Sequence, residues 1–330
     1  MTRTLLCALA SWLASWLVLA CPSVASAAAP DCPPPSVVPT AEQQQAWARS
    51  ATDRGPLWRL TRDGRSSYLY GSLHVGRPEW SAPGPRLQAA WAETDALAVE
   101  LDPQDVMPAL AESPKPAPAA PDPALSRRLA DQAKRQCLPE GVLQSLPPVM
   151  QLATLTLMDA RRVGLDTGYG QDVLLLARAR QEGRPVHALE TVSEQLGAIE
   201  PEDPAQARAV LADGLRDLET SRQREPLQRL AAAWARSDLA LLADYPRWCR
   251  CADTPQERAW LRRINDERNP ALAERISKLH GSGSRLLIAV GALHMTGAQA
   301  LPKLLKAQGF HIEQVVPARI QPPSASRKTP

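Results

Sequence analysis

Two histidines with near-identical surroundings stand near opposite ends of the sequence. His74 closes the run YLYGSLH and His294 closes the run IAVGALH, so each follows a glycine by three residues. The chain has five histidines, and none of the other three has a glycine at that distance. A glycine lets the backbone bend or approach closely where a strand ends, and a side chain just beyond the strand points into the crevice where α/β folds bind ligands. His74 and His294 are therefore candidate site residues, and the alternative is that both are ordinary strand-end histidines with satisfied hydrogen bonds.

Two glutamates also end apolar runs. Glu100 closes ALAVE and Glu190 closes PVHALE. A carboxylate that leaves a buried strand is costly unless it is paired, hydrogen-bonded or bound to a metal ion, so both glutamates are candidates for the same site. The alternative for each is a contact with solvent or with an arginine. Strand alternation places His187 on the face opposite Glu190, which leaves His187 out of the site.

Together these side chains indicate a metal centre. Two neutral imidazoles, His74 and His294, with one or both of the carboxylates of Glu100 and Glu190, form a donor set that suits Zn, Mn, Fe or Co. An open coordination position would hold water, lower its pKa and supply a nucleophile. Arg268 in the run NDERN is a candidate for binding an oxyanion or a carboxylate, and an ion pair on a helix surface is its alternative. The catalytic candidates are thus His74, His294, Glu100 and Arg268.

The strands and helices that must position these residues can be placed along the sequence. The run RDGR between two apolar segments predicts a β-hairpin just before His74. A predicted helix over residues 172–182 leads into the strand PVHALE, and the strong apolar strand RLLIAV precedes His294. Two helical insertions are predicted, at about residues 125–162 and 192–280.

Both histidine-bearing strands would join one sheet, so we predict a single α/β domain over residues 41–317. A Pro-rich arm at residues 28–40 precedes this domain, and a disordered tail at residues 318–330 follows it. The net charge of +3 gives no field that would attract nucleic acid.

The first 27 residues have the pattern of a secretory signal peptide. A basic start at Arg3 precedes an apolar stretch that is too short for a comfortable membrane span, and small residues follow it. Cleavage after Ala27 is favoured, and a degenerate lipobox, VLAC, ending at Cys21 is the alternative. Either route predicts a periplasmic or secreted chain, with membrane contact only if Cys21 is lipidated.

The cysteines beyond the signal peptide indicate disulfides in an oxidising compartment. They are even in number: Cys32, Cys137, Cys249 and Cys251. Cys249 and Cys251 stand two residues apart in WCRC, which makes a bond between them geometrically awkward. We therefore predict that each bonds to one of Cys32 and Cys137. A zinc site is the alternative, but the spacing lacks two CxxC pairs.

Several motifs follow one another in a fixed order between about residues 58 and 316. They are GSLH ending at His74, ALAVELD with Glu100, YGQD with Asp172, GRPVHALETVSEQL with Glu190 and Gln195, DERNPALAERI with Arg268 and Asn269, and GALH ending at His294. Their order and spacing resemble the GumN-like bacterial branch of the TraB/PrgY/GumN family, which includes the Tiki metalloproteases of animals. The resemblance implies a fold similar to the erythromycin-esterase and ChaN-like group, with a mixed or mostly parallel sheet flanked by helices.

The same resemblance implies an activity. In Tiki proteins the paired GxxH histidines and a glutamate are essential to a peptidase activity that depends on a divalent metal. That role falls here on His74, His294 and Glu100, with Glu190 and Arg268 as their neighbours. The disulfide-type cysteines and the lack of a membrane anchor distinguish this chain from the Tiki branch.

The sequence therefore predicts a periplasmic metal-dependent hydrolase that acts as a peptidase on a peptide or another small substrate. The alternative is a non-catalytic binder that uses the same pocket for a peptide, a metal ion or haem. ChaN-like relatives suggest haem, although the chain has no CxxCH attachment motif. A third option is a cell-envelope factor whose site has decayed.

Overall fold

The computed structural model describes residues 32–112, 122–201 and 203–318. The predicted signal peptide, the first residues of the Pro-rich arm and nearly all of the predicted tail lie outside these ranges. Among the described residues, none of the helices has the length and the apolar character that crossing a membrane requires. The boundaries proposed above for the domain stay a prediction.

A mixed six-stranded sheet forms the centre of the described chain. Its strands are β1 (Leu57–Arg62), β2 (Arg65–Ser72), β3 (Ala96–Val99), β4 (Val186–Ala188), β5 (Leu286–Gly291) and β6 (His311–Val316). Their order across the sheet is β4-β3-β5-β2-β1-β6. The first four of these run parallel, and β1 pairs antiparallel with both β2 and β6. With helices on its faces, this sheet confirms the predicted α/β fold.

Strands β1 and β2 form the hairpin that the run RDGR predicts. Asp63 and Gly64 at its tip have positive φ angles of 51° and 69°. Two consecutive positive φ angles are what the favoured two-residue hairpin turn requires, and Asp-Gly supplies them at low cost. Arg62 pairs with Arg65 across this turn. The turn therefore fixes the register that leads β2 towards His74.

The central strand β5 is buried on both of its faces. Its residues 286–290 are at most 1% exposed, which is typical of a parallel strand covered by helices on both sides. Alternate side chains join two separate clusters: Leu287 belongs to the cluster that contains Trp234, and Ile288 belongs to the one that contains Leu272. The apolar run before His294 thus belongs to the core, and only its end reaches the crevice.

The helices occupy the regions between the strands. They are α1 (Ala41–Arg49), α2 (Pro85–Ala92), α3 (Pro103–Glu112), α4 (Pro123–Arg135), α5 (Pro148–Asp159), α6 (Gln171–Gln181), α7 (Val192–Ile199), α8 (Pro204–Glu219), α9 (Arg224–Ala235), α10 (Leu239–Ala243), α11 (Tyr245–Trp248), α12 (Pro255–Ile264), α13 (Asn269–Gly281) and α14 (Leu301–Ala307). Helices α4 and α5 form the first predicted insertion, and α7 to α13 form the second. The predicted helix at residues 172–182 is α6, which lies one residue earlier at each end.

The predicted disulfide pairing is wrong. The structure joins Cys32 to Cys137 and Cys249 to Cys251, with Cα–Cα distances of 5.5 and 5.1 Å. The reason is the backbone of Arg250, whose φ of 59° turns the chain back between the two late cysteines. This turn brings their Cα atoms within the range that a disulfide can span. The other bond fastens the described part of the Pro-rich arm to the turn that follows α4.

A buried carboxylate ties the helices of the two insertions together. Asp159 at the end of α5 accepts hydrogen bonds from Nε and Nη2 of Arg224 at 2.8 and 3.0 Å. It also accepts from Gln136 at the end of α4, at 3.3 Å, and from Gln223 just before α9, at 2.7 Å. Because a buried charge is tolerated only with such partners, this cluster fixes the relative placement of α4, α5 and α9.

Asp159→Ala is expected to lower the free energy of unfolding by about 1 to 3 kcal/mol, because it removes the buried acceptor that Arg224, Gln136 and Gln223 share. Denaturant unfolding followed by circular dichroism measures the loss. The matched control is Asp131→Ala, since Asp131 is 67% exposed and lies 3.9 Å from Lys134; its effect should stay within about 0.5 kcal/mol. Equal effects of the two substitutions would contradict the structural role of the cluster.

Candidate functional site

Four parallel strands end at one edge of the sheet, and a predicted site residue follows each of them. Glu100 comes directly after β3, and Glu190 lies two residues after β4. His74 lies two residues after β2, and His294 lies three residues after β5. In open α/β sheets ligands bind in the crevice beyond the carboxyl ends of the strands. The strand order therefore brings the two GxxH motifs and the two glutamates to one crevice.

The glycines of the two GxxH motifs make room for neighbouring atoms. Gly291 is paired with Ser72, the residue after Gly71, so the two glycines lie close together. A Cβ on Gly71 would lie 2.7 Å from Cγ of Pro56, and a Cβ on Gly291 would lie 3.3 Å from Oε1 of Glu100. Gly291 donates its N–H to that same oxygen at 2.6 Å. Of the two reasons for glycine considered above, close approach is the one that the structure shows.

Arg268 connects the two glutamates. Its Nη2 donates to Oε2 of Glu100 at 2.6 Å and to Oε2 of Glu190, while its Nε donates to Oε1 of Glu190 at 2.8 Å. Its Nη1 donates to the carbonyl of Ile264 at 2.8 Å. The three charged side chains are between 5% and 11% exposed. The structure thus gives both glutamates an arginine partner, in a buried cluster and not on a helix surface.

This cluster holds Glu100 in its ionised form. Burial alone would raise the pKa of Glu100, but His294, Arg268, His74 and the N–H of Gly291 together lower it to about 2. Burial opposes the charge of Arg268 as well, and the two glutamates raise the pKa of the arginine overall. At neutral pH Glu100 is therefore suited to bind a cation or balance a charge, and it is not suited to carry a proton.

His294 is buried and neutral. Asn269 donates from Nδ2 to the carbonyls of His294 and Gln299, at 3.3 and 2.8 Å. Its Oδ1 therefore faces the imidazole and accepts from Nδ1 of His294 at 2.5 Å. Burial lowers the pKa of His294 to about 4, and the positive charge of Arg268 contributes to the shift. Its Nε2 thus carries a lone pair, and this atom lies 3.8 Å from Oε2 of Glu100.

His74 lies in the same crevice but faces solvent. Its side chain is 53% exposed, and its Nδ1 donates to Oδ2 of Asp172 at 2.8 Å. The charge of Asp172 and the hydrogen bond with it raise the pKa of His74 to about 9. Glu100 contributes to this shift in the same direction. His74 is therefore a cation at neutral pH, and its Nε2 is the ring nitrogen left for a ligand.

The fit to a metal ion can be tested on these donors. The types of these side chains suit a metal ion. Each imidazole commits Nδ1 to a second partner and leaves Nε2 to coordinate, which is an arrangement common in metal sites. By arrangement, the described ranges contain no group of three or more His, Cys, Asp or Glu side chains placed to hold an ion together. The Arg268 guanidinium occupies one oxygen of Glu100 and both oxygens of Glu190. The predicted set of metal ligands stays a prediction.

Two residues that orient the histidines received no role from the sequence. Asp172 lies in the first turn of α6, and Asn269 is the first residue of α13. Both belong to the motifs quoted above, but they are distant from the histidines along the chain, so the sequence alone does not indicate the contact. The signal that could have indicated them is a polar side chain at the start of a helix. In GQD this side chain follows a glycine, and in NP it precedes a proline.

Comparison with known proteins places these motifs in a wider group. The model of the TraB/PrgY/gumN family matches residues 56–314. Two curated relatives are proteins named "Uncharacterized protein YbaP", from Shigella flexneri and from Escherichia coli strain K12. Each is 27% identical over 251 residues, which covers 73% of this chain and 88% of the relative. No solved structure matches the chain.

Asp172→Asn is expected to lower the pKa of His74 from about 9 towards its ordinary value, because the neighbouring negative charge is lost. NMR titration of the imidazole signals measures this directly. Since the pKa of His74 is raised on folding, its stabilising contribution is complete below pH about 6.5 and is lost as the pH rises through about 9. The stability difference between wild type and variant should therefore be largest below pH about 6.5. An unchanged pKa of His74 in the variant, with Asp131→Asn as the control, would contradict the assignment.

Proposed function

This chain belongs to the TraB/PrgY/gumN family, and we propose that it is a metal-dependent hydrolase that cleaves peptides outside the cytosol. The observation that carries the proposal is the pair of oriented imidazoles. His74 and His294 both commit Nδ1 to a partner, and both offer Nε2 in a crevice next to the ionised Glu100. The two disulfides of the structure support an oxidising compartment.

A divalent ion would be held by Nε2 of His74, Nε2 of His294 and the carboxylate of Glu100, and Mn, Co, Zn and Fe all suit these donors. When bound, the ion supplies a water of lowered pKa and polarises a carbonyl group. The residues of the chain do the positioning. Asn269 holds His294 in the tautomer with a free Nε2, and Asp172 makes His74 a stronger donor.

The charges of the cluster favour a bound cation. The carboxylates of Asp172, Glu100 and Glu190 face one guanidinium, that of Arg268, and one imidazolium, that of His74. One negative charge is left over. His74 gives up its proton when it coordinates, so a doubly charged ion in place of that proton balances the cluster.

Arg268 and Glu190 form the support for Glu100. Glu190 accepts hydrogen bonds from Nε and Nη2 of the arginine, and Nη2 also donates to Glu100. Arg268 thereby lies beside the crevice, where a guanidinium can stabilise negative charge that develops on a carbonyl oxygen of the substrate. In this proposal Glu190 acts through Arg268 and does not contact the metal ion.

The second candidate is a non-catalytic binder of a peptide, a metal ion or haem in the same crevice. Arg268 is the observation that favours it, because this arginine already satisfies the charge of Glu100. A binder would retain the two oriented imidazoles and would need no third ligand. Elemental analysis and catalytic assay separate the two candidates, since only the hydrolase couples bound metal to cleavage.

The test loads the protein with Mn, Co, Zn or Fe and assays it on a peptide library, beside His74→Ala and His294→Ala. We expect each substitution to reduce the bound metal and to lower peptide cleavage by at least about 100-fold. Removing a residue that only orients a metal ligand typically costs about 10- to 100-fold, so removing the ligand itself should cost at least as much. His311→Ala is the matched control, since His311 is an exposed histidine at the start of β6.

Equal cleavage by all four proteins, or no cleavage with any divalent metal, would remove the claim of an enzyme. Bound metal in the wild type without cleavage would favour the binder. Titration calorimetry with each metal and with haem then identifies what the crevice takes up.

A further inference from the structure

We propose that the bond between Cys249 and Cys251 is a thiol–disulfide exchange site that reacts with a dithiol protein of the same compartment. The bond between Cys32 and Cys137 is the structural one. This proposal is independent of the hydrolase activity, because none of the four cysteines belongs to the crevice described above.

The covalent setting of the two bonds differs. Cys32 and Cys137 are 105 residues apart, whereas Cys249 and Cys251 are separated by 2. A disulfide that closes a long loop removes much conformational freedom from the unfolded chain, and one that closes a very short loop removes little. The Cys249–Cys251 bond therefore gains little from folding, and it is the easier of the two to reduce.

The backbone between the late cysteines adds to this difference. Arg250 has a φ of 59°, a left-handed conformation that is uncommon for a residue with a Cβ. Such conformations persist where the surroundings impose them, and here the short ring holds Arg250 in place. Opening the disulfide removes this constraint, which favours the dithiol form.

The two sulfur atoms are unequally accessible. Cys249 is 6% exposed, whereas Cys251 is partly exposed. The N–H of Cys251 donates to Sγ of Cys249 at 3.1 Å. An incoming thiolate therefore reaches Cys251, and Cys249 is the sulfur whose negative charge the backbone can stabilise.

These positions define the exchange reaction. A thiolate of the dithiol attacks Sγ of Cys251, the Cys249–Cys251 bond breaks, and Cys249 leaves as a thiolate. The second thiol of the partner, once deprotonated, attacks the sulfur bonded to Cys251, which forms the partner's disulfide and releases Cys251. Two electrons pass from the partner to the cysteine pair, and the two protons of the partner's thiols go to Cys249 and Cys251. The reverse sequence re-forms the Cys249–Cys251 bond and reduces a disulfide of the partner.

The surrounding contacts allow the bond to open without loss of the local fold. Cys249 donates its N–H to the carbonyl of Tyr245 at 2.9 Å. On the other side, Nη1 of Arg258 donates to the carbonyls of Ala252 and Asp253 at 2.9 and 2.8 Å. The segment is thus held at both ends by contacts that do not involve sulfur.

Two arginines lie close to Cys251 in the sequence: Arg250 directly precedes it, and Arg247 stands four residues before it. The side chains of Arg247 and Arg250 are 85% and 55% exposed. Arg247 pairs with Asp244 at 3.3 Å and Arg250 pairs with Glu225 at 3.8 Å, both in solvent-exposed ion pairs. Exposed cations attract an approaching thiolate and stabilise the thiolate form of the cysteines.

The test equilibrates the folded, oxidised protein with graded mixtures of reduced and oxidised dithiothreitol and then with glutathione. Acid quenching, alkylation and peptide mass mapping report each disulfide separately, and circular dichroism confirms that the fold persists. We expect Cys249 and Cys251 to be alkylated under conditions in which Cys32 and Cys137 stay bonded. Reduction of both bonds together, or of Cys32–Cys137 first, would overturn the proposal.

Single-cysteine variants test which sulfur reacts. With oxidised glutathione, Cys251 in Cys249→Ser should form the mixed disulfide at least about tenfold faster than Cys249 in Cys251→Ser, because reaction rates follow access. The opposite order, or equal rates, would overturn the assignment of the attacked sulfur.

Substitution of Arg250 tests the role of the backbone. Arg250→Gly relieves the left-handed residue and should shift the equilibrium towards the disulfide by about tenfold, which is about 30 mV for a two-electron couple. Arg250→Ala is the matched control, since it removes the same charge but keeps the Cβ. Equal shifts in the two variants would show that the charge, and not the backbone, sets the equilibrium.

Discussion

The buried pairing of Glu100 and Glu190 with Arg268 is the constraint on which the rest of the site depends. Removing a carboxylate from water costs several kcal/mol unless a counter-charge accompanies it, and here two carboxylates share one guanidinium. The arginine comes from the second helical insertion, at the turn just before α13. The ends of β3 and β4 can therefore carry charged groups only because this insertion folds back over the sheet. The site therefore forms only when the second insertion is in its folded position.

The residues of the crevice come from the ends of strands and the starts of helices. The strands β2, β3 and β5 end at the groups suited to bind a ligand, namely His74, Glu100 and His294. The starts of helices supply the groups that orient them, since Asp172 holds His74 from α6 and Asn269 holds His294 from α13. Carboxyl ends of parallel strands and amino ends of the following helices meet at the same edge of an α/β sheet. The topology therefore brings ligand groups and orienting groups together.

Local sequence patterns predicted the parts of this protein that local forces determine. The Asp-Gly turn and the apolar strands of the α/β fold are confirmed by the structure. The partners of those residues could not be predicted, because Asp172 and Asn269 are distant from the histidines along the chain and contact them only in the folded structure. The disulfide pairing was wrong for a related reason: a left-handed arginine is rare enough that no propensity indicates it at Arg250.

The two GxxH motifs have near-identical sequences, but their histidines differ in protonation state. Each ends in a histidine whose Nδ1 donates, but the acceptor is a neutral amide at His294 and a carboxylate at His74. Burial leaves His294 neutral, with a pKa of about 4, whereas the carboxylate makes the solvent-facing His74 a cation, with a pKa of about 9. His294 can therefore coordinate through the lone pair of Nε2 at neutral pH, whereas His74 must lose a proton before it can coordinate. Because His74 is also the one that solvent reaches, whatever enters the crevice meets the titrating histidine first.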